Sequence, residues 1–241
     1  MPEIMVLANY YGISVIEDAA EAFGSSINEK KCGTFGKMGI LSFNGNKIIT
    51  TSGGGAMISK KKEVVDKATF LATQARDSAP HYQHSEIGYN YRMSNICAGI
   101  GRGQMEVLPE RINQRRSNYF FYQKELQSLP GITFLSEPKG FYSNRWLTTI
   151  FVDSKKTGGI TREDIRLALE KENIESRPLW KPMHRQPIFE KYPYYGGDIA
   201  ESLFDNGLCL PSGSNLTGNN LRSVADIVIN TIKSSLANWH S

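Results

Sequence analysis

The pattern of apolar and polar positions predicts a helix and then a buried strand at the start of the chain. Apolar side chains recur with helical spacing over residues 2–11, and Gly12 ends the repeat. The β-branched run over 13–16 leads into Glu17 and Asp18, as a buried parallel strand would. A helix that feeds a parallel strand is the second half of a crossover unit, so we expect an α/β fold.

The same pattern predicts further elements along the chain. Strands are expected at 38–43 and 56–59, on either side of a polar loop. The remaining predicted elements are helices at 61–75, 95–129 (with an interruption near Pro109), 161–172 and 216–236, and strands at 145–152 and 174–177. Thr161 and Asp164 have the spacing of a helix cap. The change of character near residue 115 predicts two domains, residues 1–115 and residues 116–241.

Composition and charge argue against a nucleic-acid-binding protein. Of the 241 residues, 40% are hydrophobic and 22% are charged, as in ordinary globular proteins. The net charge of +4 is small and scattered, and the basic run Lys60-Lys61-Lys62 lies in a helical stretch, where a solvated face is expected. Nucleic acid is therefore not an expected partner.

The cysteines and the apolar runs indicate the compartment. Cys32, Cys97 and Cys209 are far apart and follow no zinc-ligand spacing, so we expect neither a metal site nor a disulfide framework. This favours a reducing environment. The sequence has no apolar run of membrane-spanning length and no secretory leader pattern at its start. These features predict a cytoplasmic protein that does not associate with a membrane.

Asp18, at the carboxyl end of the first predicted strand, is the first candidate for chemistry. Ligands of open α/β sheets bind at such strand ends. A carboxylate there can pair with a protonated pyridine nitrogen and keep it cationic, which strengthens a pyridoxal ring as an electron sink. The alternative is that Asp18 caps a following helix. The residue alone does not decide between the two.

Lys47, in the loop after the strand predicted at 38–43, is the second candidate. A lysine that forms a Schiff base needs a poorly solvated ammonium, so that it can lose its proton near neutral pH. Ser42, five residues earlier, could donate its hydroxyl to a phosphate. The glycine run 53–55 lets the backbone pass close to a bulky group or take a positive φ. For Lys47 alone, the alternative is a solvated surface position.

Several motifs follow one another in a fixed order along the chain. They are Glu17-Asp18-Ala19-Ala20-Glu21-Ala22, Gly33-Thr34-Phe35-Gly36, Ser42-Phe43-Asn44-Gly45-Asn46-Lys47, Gly53-Gly54-Gly55, Gly88-Tyr89-Asn90-Tyr91-Arg92-Met93-Ser94, Gly101-Arg102-Gly103-Gln104 and Pro182-Met183-His184-Arg185-Gln186-Pro187. Together they resemble the nucleotide-sugar aminotransferases, pyridoxal-phosphate enzymes with the aspartate aminotransferase fold. The resemblance implies the rest of a large cofactor domain, with a mixed or parallel sheet, over 1–115, and a smaller α/β domain over 116–241.

The resemblance implies the residues that hold the cofactor. Asp18 would pair with the pyridine nitrogen of pyridoxal 5'-phosphate. Lys47 would be the Schiff-base lysine and would move the proton during amine transfer. Ser42 would bind the phosphate, and Glu21 would lie close to the ring. Asn90 belongs to a loop that, in the family, reaches the cofactor phosphate of a neighbouring subunit, which implies a homodimer.

Substrate binding is implied for two further residues. Arg92 lies on the loop of Asn90, and His184 falls in a segment that lies near the sugar nucleotide in the family. For His184 taken alone, a core or capping histidine is the alternative. Related sugar 3-dehydratases carry histidine at the lysine position, so Lys47 favours amine transfer over dehydration.

The expected substrate follows from two stretches of the resemblance. Residues 44–55 and 180–184 look like those of enzymes that aminate C4 of UDP-linked 4-keto-6-deoxy-N-acetylhexosamines, with glutamate as the usual donor. UDP-N-acetylbacillosamine synthesis is an example. The implied role is therefore in bacterial cell-surface polysaccharide or glycan biosynthesis.

Members of the family begin well before the position that matches Met1. The part without a counterpart here normally supplies early strands of the large sheet, a helix start that holds the cofactor phosphate and an aromatic residue stacked on the ring. We therefore expect weak or no activity from this chain alone. The alternative function is a non-catalytic remnant that at most binds pyridoxal phosphate or pairs with a full-length partner.

Overall fold

The structure, a computed structural model, describes residues 1–239 and divides the chain into two compact units. The first comprises Met1–Asn113 together with Glu137–Trp146, and the second comprises Gln114–Ser136 together with the chain from Leu147 onward. The assignment of a cofactor domain and a smaller domain to the predicted ranges stays a prediction.

The elements are named in chain order. The strands are β1 (Ile16–Asp18), β2 (Ser26–Ile27), β3 (Lys30–Lys31), β4 (Met38–Ser42), β5 (Gly55–Ile58), β6 (Ile132–Phe134), β7 (Phe141–Tyr142), β8 (Thr148–Val152), β9 (Arg177–Pro178) and β10 (Gly207–Leu210). The α-helices are α1 (Pro2–Tyr10), α2 (Lys62–Ala72), α3 (Asn95–Glu106), α4 (Leu108–Leu126), α5 (Arg162–Lys171), α6 (Ile199–Asn206) and α7 (Gly218–Trp239). No helix within residues 1–239 is both long and apolar enough to cross a membrane. The cytoplasmic location stays a prediction.

The first unit contains a mixed three-stranded sheet in the order β1-β4-β5. Strand β1 runs parallel to β4, with Asp18 opposite Ile40. Strand β5 returns antiparallel, with Gly55 opposite Ser42. A second, smaller sheet has the order β3-β2-β7. The parallel pair agrees with the α/β fold expected from the crossover pattern.

The second unit is an antiparallel sheet in the order β6-β8-β10-β9, with an apolar core against its helices. Alternate residues of β8, among them Ile150 and Val152, are buried as the period of a strand requires. Leu208 of β10 and Leu169 of α5 are fully buried in the same core. Each such side chain contributes about 2 kcal/mol of burial free energy.

Several predicted elements are confirmed. Helix α1 occupies all but the last residue of the predicted range 2–11, and β4 all but the last residue of 38–43. Helix α5 begins with the predicted cap: the Thr161 side chain accepts the Asp164 N–H, and the Asp164 carboxylate accepts the Thr161 N–H at 2.8 Å. These bonds from Thr161 hold the pKa of the Asp164 carboxyl below its usual value.

Two predicted strands begin too early, because their first residues still belong to the end of the preceding helix. The run 13–16 starts a strand only at Ile16, since the Ile13 N–H still bonds the Ala8 carbonyl at the end of α1. The strand predicted at 174–177 is instead β9, since the Ile174 N–H bonds the Leu169 carbonyl of α5. In both places a residue with a strand-like side chain uses its N–H for the last hydrogen bond of a helix, so the strand starts later.

Two other predictions differ from the structure in their bounds for reasons of backbone conformation. The interruption expected near Pro109 lies at Val107, where α3 and α4 meet, because Pro109 is in the first turn of α4 and its missing N–H is tolerated there. The strand predicted from Arg145 starts only at Thr148. Arg145 has a φ of 48°, which is incompatible with an extended strand.

The carboxylate of Glu17 ties β1 to the turn that precedes β4. Glu17 is buried on the face of β1 opposite Asp18. It accepts the N–H groups of Gly33 at 2.9 Å and Gly36 at 2.6 Å, and also that of Phe35. A buried carboxylate with three backbone donors is well satisfied, and bonds to a charged acceptor are stronger than neutral ones.

Replacing Glu17 by glutamine is expected to destabilise the first unit by about 2 kcal/mol, because the amide has a single acceptor oxygen and is uncharged. Urea unfolding followed by circular dichroism measures this loss. Glu106→Gln, an exposed change of the same kind, is the control and is expected to leave the midpoint unchanged. Equal midpoints for the two variants would contradict the anchoring role of Glu17.

Candidate active site

Asp18 and Ser42 lie at the carboxyl ends of two adjacent parallel strands. Asp18 is opposite Ile40 in the β1–β4 pair, and Ser42 follows Ile40 by two residues. Because side chains alternate along a strand, Asp18, Ile40 and Ser42 share one face of the sheet. The strand end is where ligands of α/β sheets bind. The predicted carboxylate and hydroxyl therefore stand at the same edge and on the same face.

Asp18 does not cap a helix. Its Oδ1 accepts the Ala20 N–H at 3.1 Å, and residues after it form turns before β2 begins at Ser26. The side chain is exposed and its second oxygen has room for another partner. Ser42 Oγ accepts the Asn44 N–H at 3.4 Å, and its hydroxyl hydrogen can still be donated. Both groups are thus able to contact a ligand at this edge.

Lys47 is held in place by a carboxylate and an aromatic ring. Its Nζ lies 3.1 Å from Glu21 Oε1 and 4.3 Å from the centre of the Trp146 ring. The lysine side chain is 12% exposed, whereas that of Glu21 is 47% exposed. This lysine is therefore not the solvated surface residue that its identity alone would allow. A cation–π contact and an ion pair both attract an ammonium group.

Trp146 and its neighbour Asn144 are site residues that the sequence analysis did not identify. The Trp146 indole N–H donates to the Asn46 carbonyl at 2.7 Å, directly beside Lys47. The Asn144 amide donates to the carbonyls of Glu21 at 2.9 Å and Phe23 at 3.0 Å. These contacts join residues 100 to 123 positions apart in sequence, so no local spacing could have predicted them.

The glycine run after Lys47 has the conformation that was expected of it. Gly54 has a φ of +85°, which only glycine adopts without strain. At Gly55, a Cβ would lie 2.3 Å from the Leu41 carbonyl oxygen of the neighbouring strand. The run therefore turns the chain sharply from the lysine loop into β5.

Asn90 and Arg92 are exposed on the loop that follows α2. The backbone of Asn90 bridges to Thr73 at the end of α2, and the flanking Tyr89 and Tyr91 rings stack with centroids 5.0 Å apart. Within the described residues, no hydrogen bond or ion pair joins Asn90 or Arg92 to Lys47. Their predicted roles stay predictions.

His184 belongs to the second unit, in a short 3-10 helix. Its Nε2 lies 2.8 Å from Glu201 Oε1, and its ring stacks on Tyr194 at 3.7 Å between centroids. The neighbouring Arg185 bonds Asp205 of α6 at 2.9 Å. His184 is thus a half-buried, oriented imidazole, and no motif or spacing pointed to its partners Glu201 and Tyr194.

The first unit also contains an apolar cavity, which is separate from the candidate site. Its volume is about 810 Å³, and its lining includes Leu41, Ile58, Phe23 and Ile112. Leu41 alternates with Ile40 and Ser42, so the cavity is on the opposite face of β4 from the candidate site. None of the predicted site residues lines it.

Comparisons with known proteins agree with these features. Residues 1–229 match the model of the DegT/DnrJ/EryC1/StrS aminotransferase family. EpsN of Bacillus subtilis (strain 168), provisionally named a pyridoxal phosphate-dependent aminotransferase, is 50% identical over 233 residues, which are 95% of this chain and 59% of EpsN. The GDP-perosamine synthase of Vibrio cholerae is 34% identical over 225 residues, which are 93% of this chain and 60% of that protein.

A solved structure supports the fold. The aminotransferase TlmJ from Streptoalloteichus hindustanus matches with a TM-score of 0.86 at 24% identity, over 99% of this chain and 62% of TlmJ. The expected α/β fold of these aminotransferases is thereby confirmed. The chain spans only 59% to 62% of the length of these three proteins. On the match over residues 1–229, the chain belongs to the DegT/DnrJ/EryC1/StrS aminotransferase family.

Proposed function

We propose that this chain carries the lysine of a pyridoxal-phosphate-dependent aminotransferase, which transfers an amino group to a nucleotide-linked 4-keto-6-deoxy sugar for glycan biosynthesis. The observation that carries the proposal is the enclosed Lys47, 3.1 Å from Glu21 and covered by Trp146, in a loop that follows directly from the strand end of Ser42. The name of EpsN supports the cofactor.

The residues present fit pyridoxal phosphate. The cofactor needs a carboxylate for its pyridine nitrogen, donors for its phosphate and a lysine for its aldehyde. Asp18 and Ser42 supply the first two from one face and one edge of the sheet, and both retain hydrogen-bonding capacity. Lys47 supplies the third from the adjoining loop.

Each residue would then have a defined task. When bound, the cofactor supplies an electron sink for the electron pair that is left when a C–H bond breaks. Lys47 Nζ would hold and move the proton, while the Glu21 carboxylate orients that nitrogen. Trp146 excludes water from one side of the lysine. Asp18 would keep the pyridine nitrogen protonated, and the Ser42 hydroxyl would bind a phosphate oxygen.

Pyridoxal phosphate followed by borohydride is expected to modify Lys47 selectively, because borohydride fixes the lysine–pyridoxal linkage as a stable adduct. Peptide mass spectrometry locates the added mass. Lys67 is a matched internal control: it also has a carboxylate partner, Glu86, and an aromatic neighbour, Phe70, but it is 51% exposed. Equal labelling of the two lysines, or none at Lys47, would contradict the proposed cofactor site.

The sugar nucleotide is proposed to be a UDP-linked N-acetylhexosamine derivative. The resemblance of residues 44–55 and 180–184 favours it, whereas the name of the Vibrio cholerae relative specifies a GDP-linked sugar.

Calorimetry with UDP-N-acetylglucosamine and GDP-mannose separates the two: we expect about tenfold tighter binding of the UDP sugar. His184→Ala is expected to weaken it, and His81→Ala, in an exposed loop, is the control. Tighter binding of the GDP sugar would overturn this choice.

We also infer a homodimer formed through the loop of Asn90 and the start of α3. Large apolar side chains are exposed there, including Ile87 at 83%, Tyr91 at 76% and Ile96 at 79%. An exposed apolar patch of this kind is typical of an interaction surface.

Sedimentation is expected to give twice the 27.0 kDa chain mass for the native protein. Ile96→Glu is expected to give the single-chain mass, because a charge in the interface has no partner. Ile188→Glu, similarly exposed at 72% but in the second unit, is the control and should leave the dimer intact. A native protein that sediments as a single chain would refute the dimer.

A further inference from the structure

Residues Glu137–Trp146, called the return segment, belong to the first unit although the chain on both sides of them belongs to the second. The return segment adds β7 to the small sheet, with Tyr142 opposite Ser26. The Asn28 N–H donates to the Gly140 carbonyl at 2.7 Å. The segment is thus fixed by main-chain bonds before it reaches the lysine.

Asn144 is the centre of the return segment's contacts. It is 3% exposed. Its main-chain N–H donates to Ser25 Oγ at 2.9 Å, and its amide donates to the carbonyls of Glu21 and Phe23. Its Oδ1 accepts the main-chain N–H of Trp146 at 2.9 Å. Both amide hydrogens and the side-chain oxygen of Asn144 are therefore used. The two hydrogens fix the turn that carries Glu21, and the oxygen fixes the backbone of Trp146.

Trp146 fixes the loop of Lys47, the partner of Glu21 in the ion pair. It is 6% exposed, and its indole N–H holds the Asn46 carbonyl at 2.7 Å. The ring lies 4.3 Å from Lys47 Nζ. The same side chain therefore holds the backbone next to Lys47 and covers its amine.

Glu21 and Lys47 are 26 residues apart and lie on separate turns. Asn144 bonds the turn that carries Glu21, and Trp146 bonds the loop that carries Lys47. A hydrogen bond from the Trp146 main-chain N–H to Asn144 Oδ1 joins these two residues. A polar pair on two loops keeps its geometry only if both loops are fixed by surrounding contacts. The return segment supplies those contacts from 100 to 123 residues further along the sequence.

We propose that Asn144 and Trp146 are positioning residues for Lys47: the return segment sets the distance between Glu21 and Lys47 and keeps water from the lysine amine. The inference rests on the proposed function, since it assigns these residues to the lysine that would bind the cofactor. It concerns the orientation and accessibility of one side chain. It can therefore be measured in the chain without cofactor.

The test measures how fast acetic anhydride modifies Lys47 relative to Lys67 in the same sample, by peptide mass spectrometry, in the chain without cofactor. In Trp146→Ala the ratio is expected to rise about fivefold, because the amine loses both its cover and a cation–π contact. Trp146→Phe keeps a ring but loses the bond to Asn46, and is expected to give a smaller rise. Asn144→Ala is expected to raise the ratio as well.

A second readout uses pyridoxal phosphate and borohydride on the same variants. The share of adduct on Lys47 is expected to fall about tenfold in Trp146→Ala, because a loosely held nucleophile loses its orientation. Acetylation thus rises while selective labelling falls. A change in overall stability alone would raise both reactions at all lysines.

Matched controls lie in the second unit. Asn118 also donates its buried amide to two main-chain carbonyls, those of Ser212 and Gly213, and Tyr122 also donates a ring hydroxyl to a carbonyl, that of Pro211. Asn118→Ala and Tyr122→Phe therefore remove bonds of the same kinds. They are expected to leave the Lys47 ratio unchanged.

The outcomes separate this inference from the proposed function. If Trp146→Ala and Trp146→Phe leave both readouts at the values of the native chain, the positioning role is wrong. If Asn144→Ala unfolds, as a rise at all lysines would reveal, the two Trp146 variants decide. If the native chain shows no adduct on Lys47, the proposed function fails. The acetylation ratios then still decide whether the return segment controls the lysine.

Discussion

The parallel pairing of β1 with β4 is the constraint on which the candidate site depends. With Asp18 opposite Ile40, the carboxylate and the Ser42 hydroxyl share one face and one edge. A slip by one residue would turn Asp18 to the other face and bring Glu17 to this one. The Glu17 carboxylate opposes such a slip, because it is bonded to the N–H groups of Gly33, Phe35 and Gly36 on the far side. The hydrogen bonds of buried Glu17 thus fix the position of Asp18 beside it.

The lysine depends on a second, long-range constraint. Strand β4 ends at the edge from which the Lys47 loop extends, but the strand does not fix the direction of a side chain in that loop. The return segment supplies that direction through Asn144 and Trp146. The sheet therefore determines where the site is, and the return segment determines whether its lysine is oriented and shielded. His184 and its partners Glu201 and Tyr194 form a separately ordered cluster in the second unit.

Sequence patterns were sufficient where the determinants lie within a few residues of one another. Helix α1, strand β4 and the cap of α5 follow from periodicity and capping chemistry, and the ordered motifs alone indicated the family. Prediction failed where distant contacts or unusual backbone angles decide. Arg145 has strand-like neighbours but a φ of 48°, and Trp146 directly after it contacts Lys47. The Trp146–Asn46 bond spans 100 residues, which no local pattern encodes.

A crystal structure of the chain soaked with pyridoxal phosphate would show whether Asp18, Ser42 and Lys47 form one cofactor site. We expect electron density continuous with Lys47 Nζ, with the pyridine nitrogen beside the Asp18 carboxylate and the phosphate beside the Ser42 hydroxyl. Density on another lysine, or in the cavity on the opposite face of β4, would contradict it.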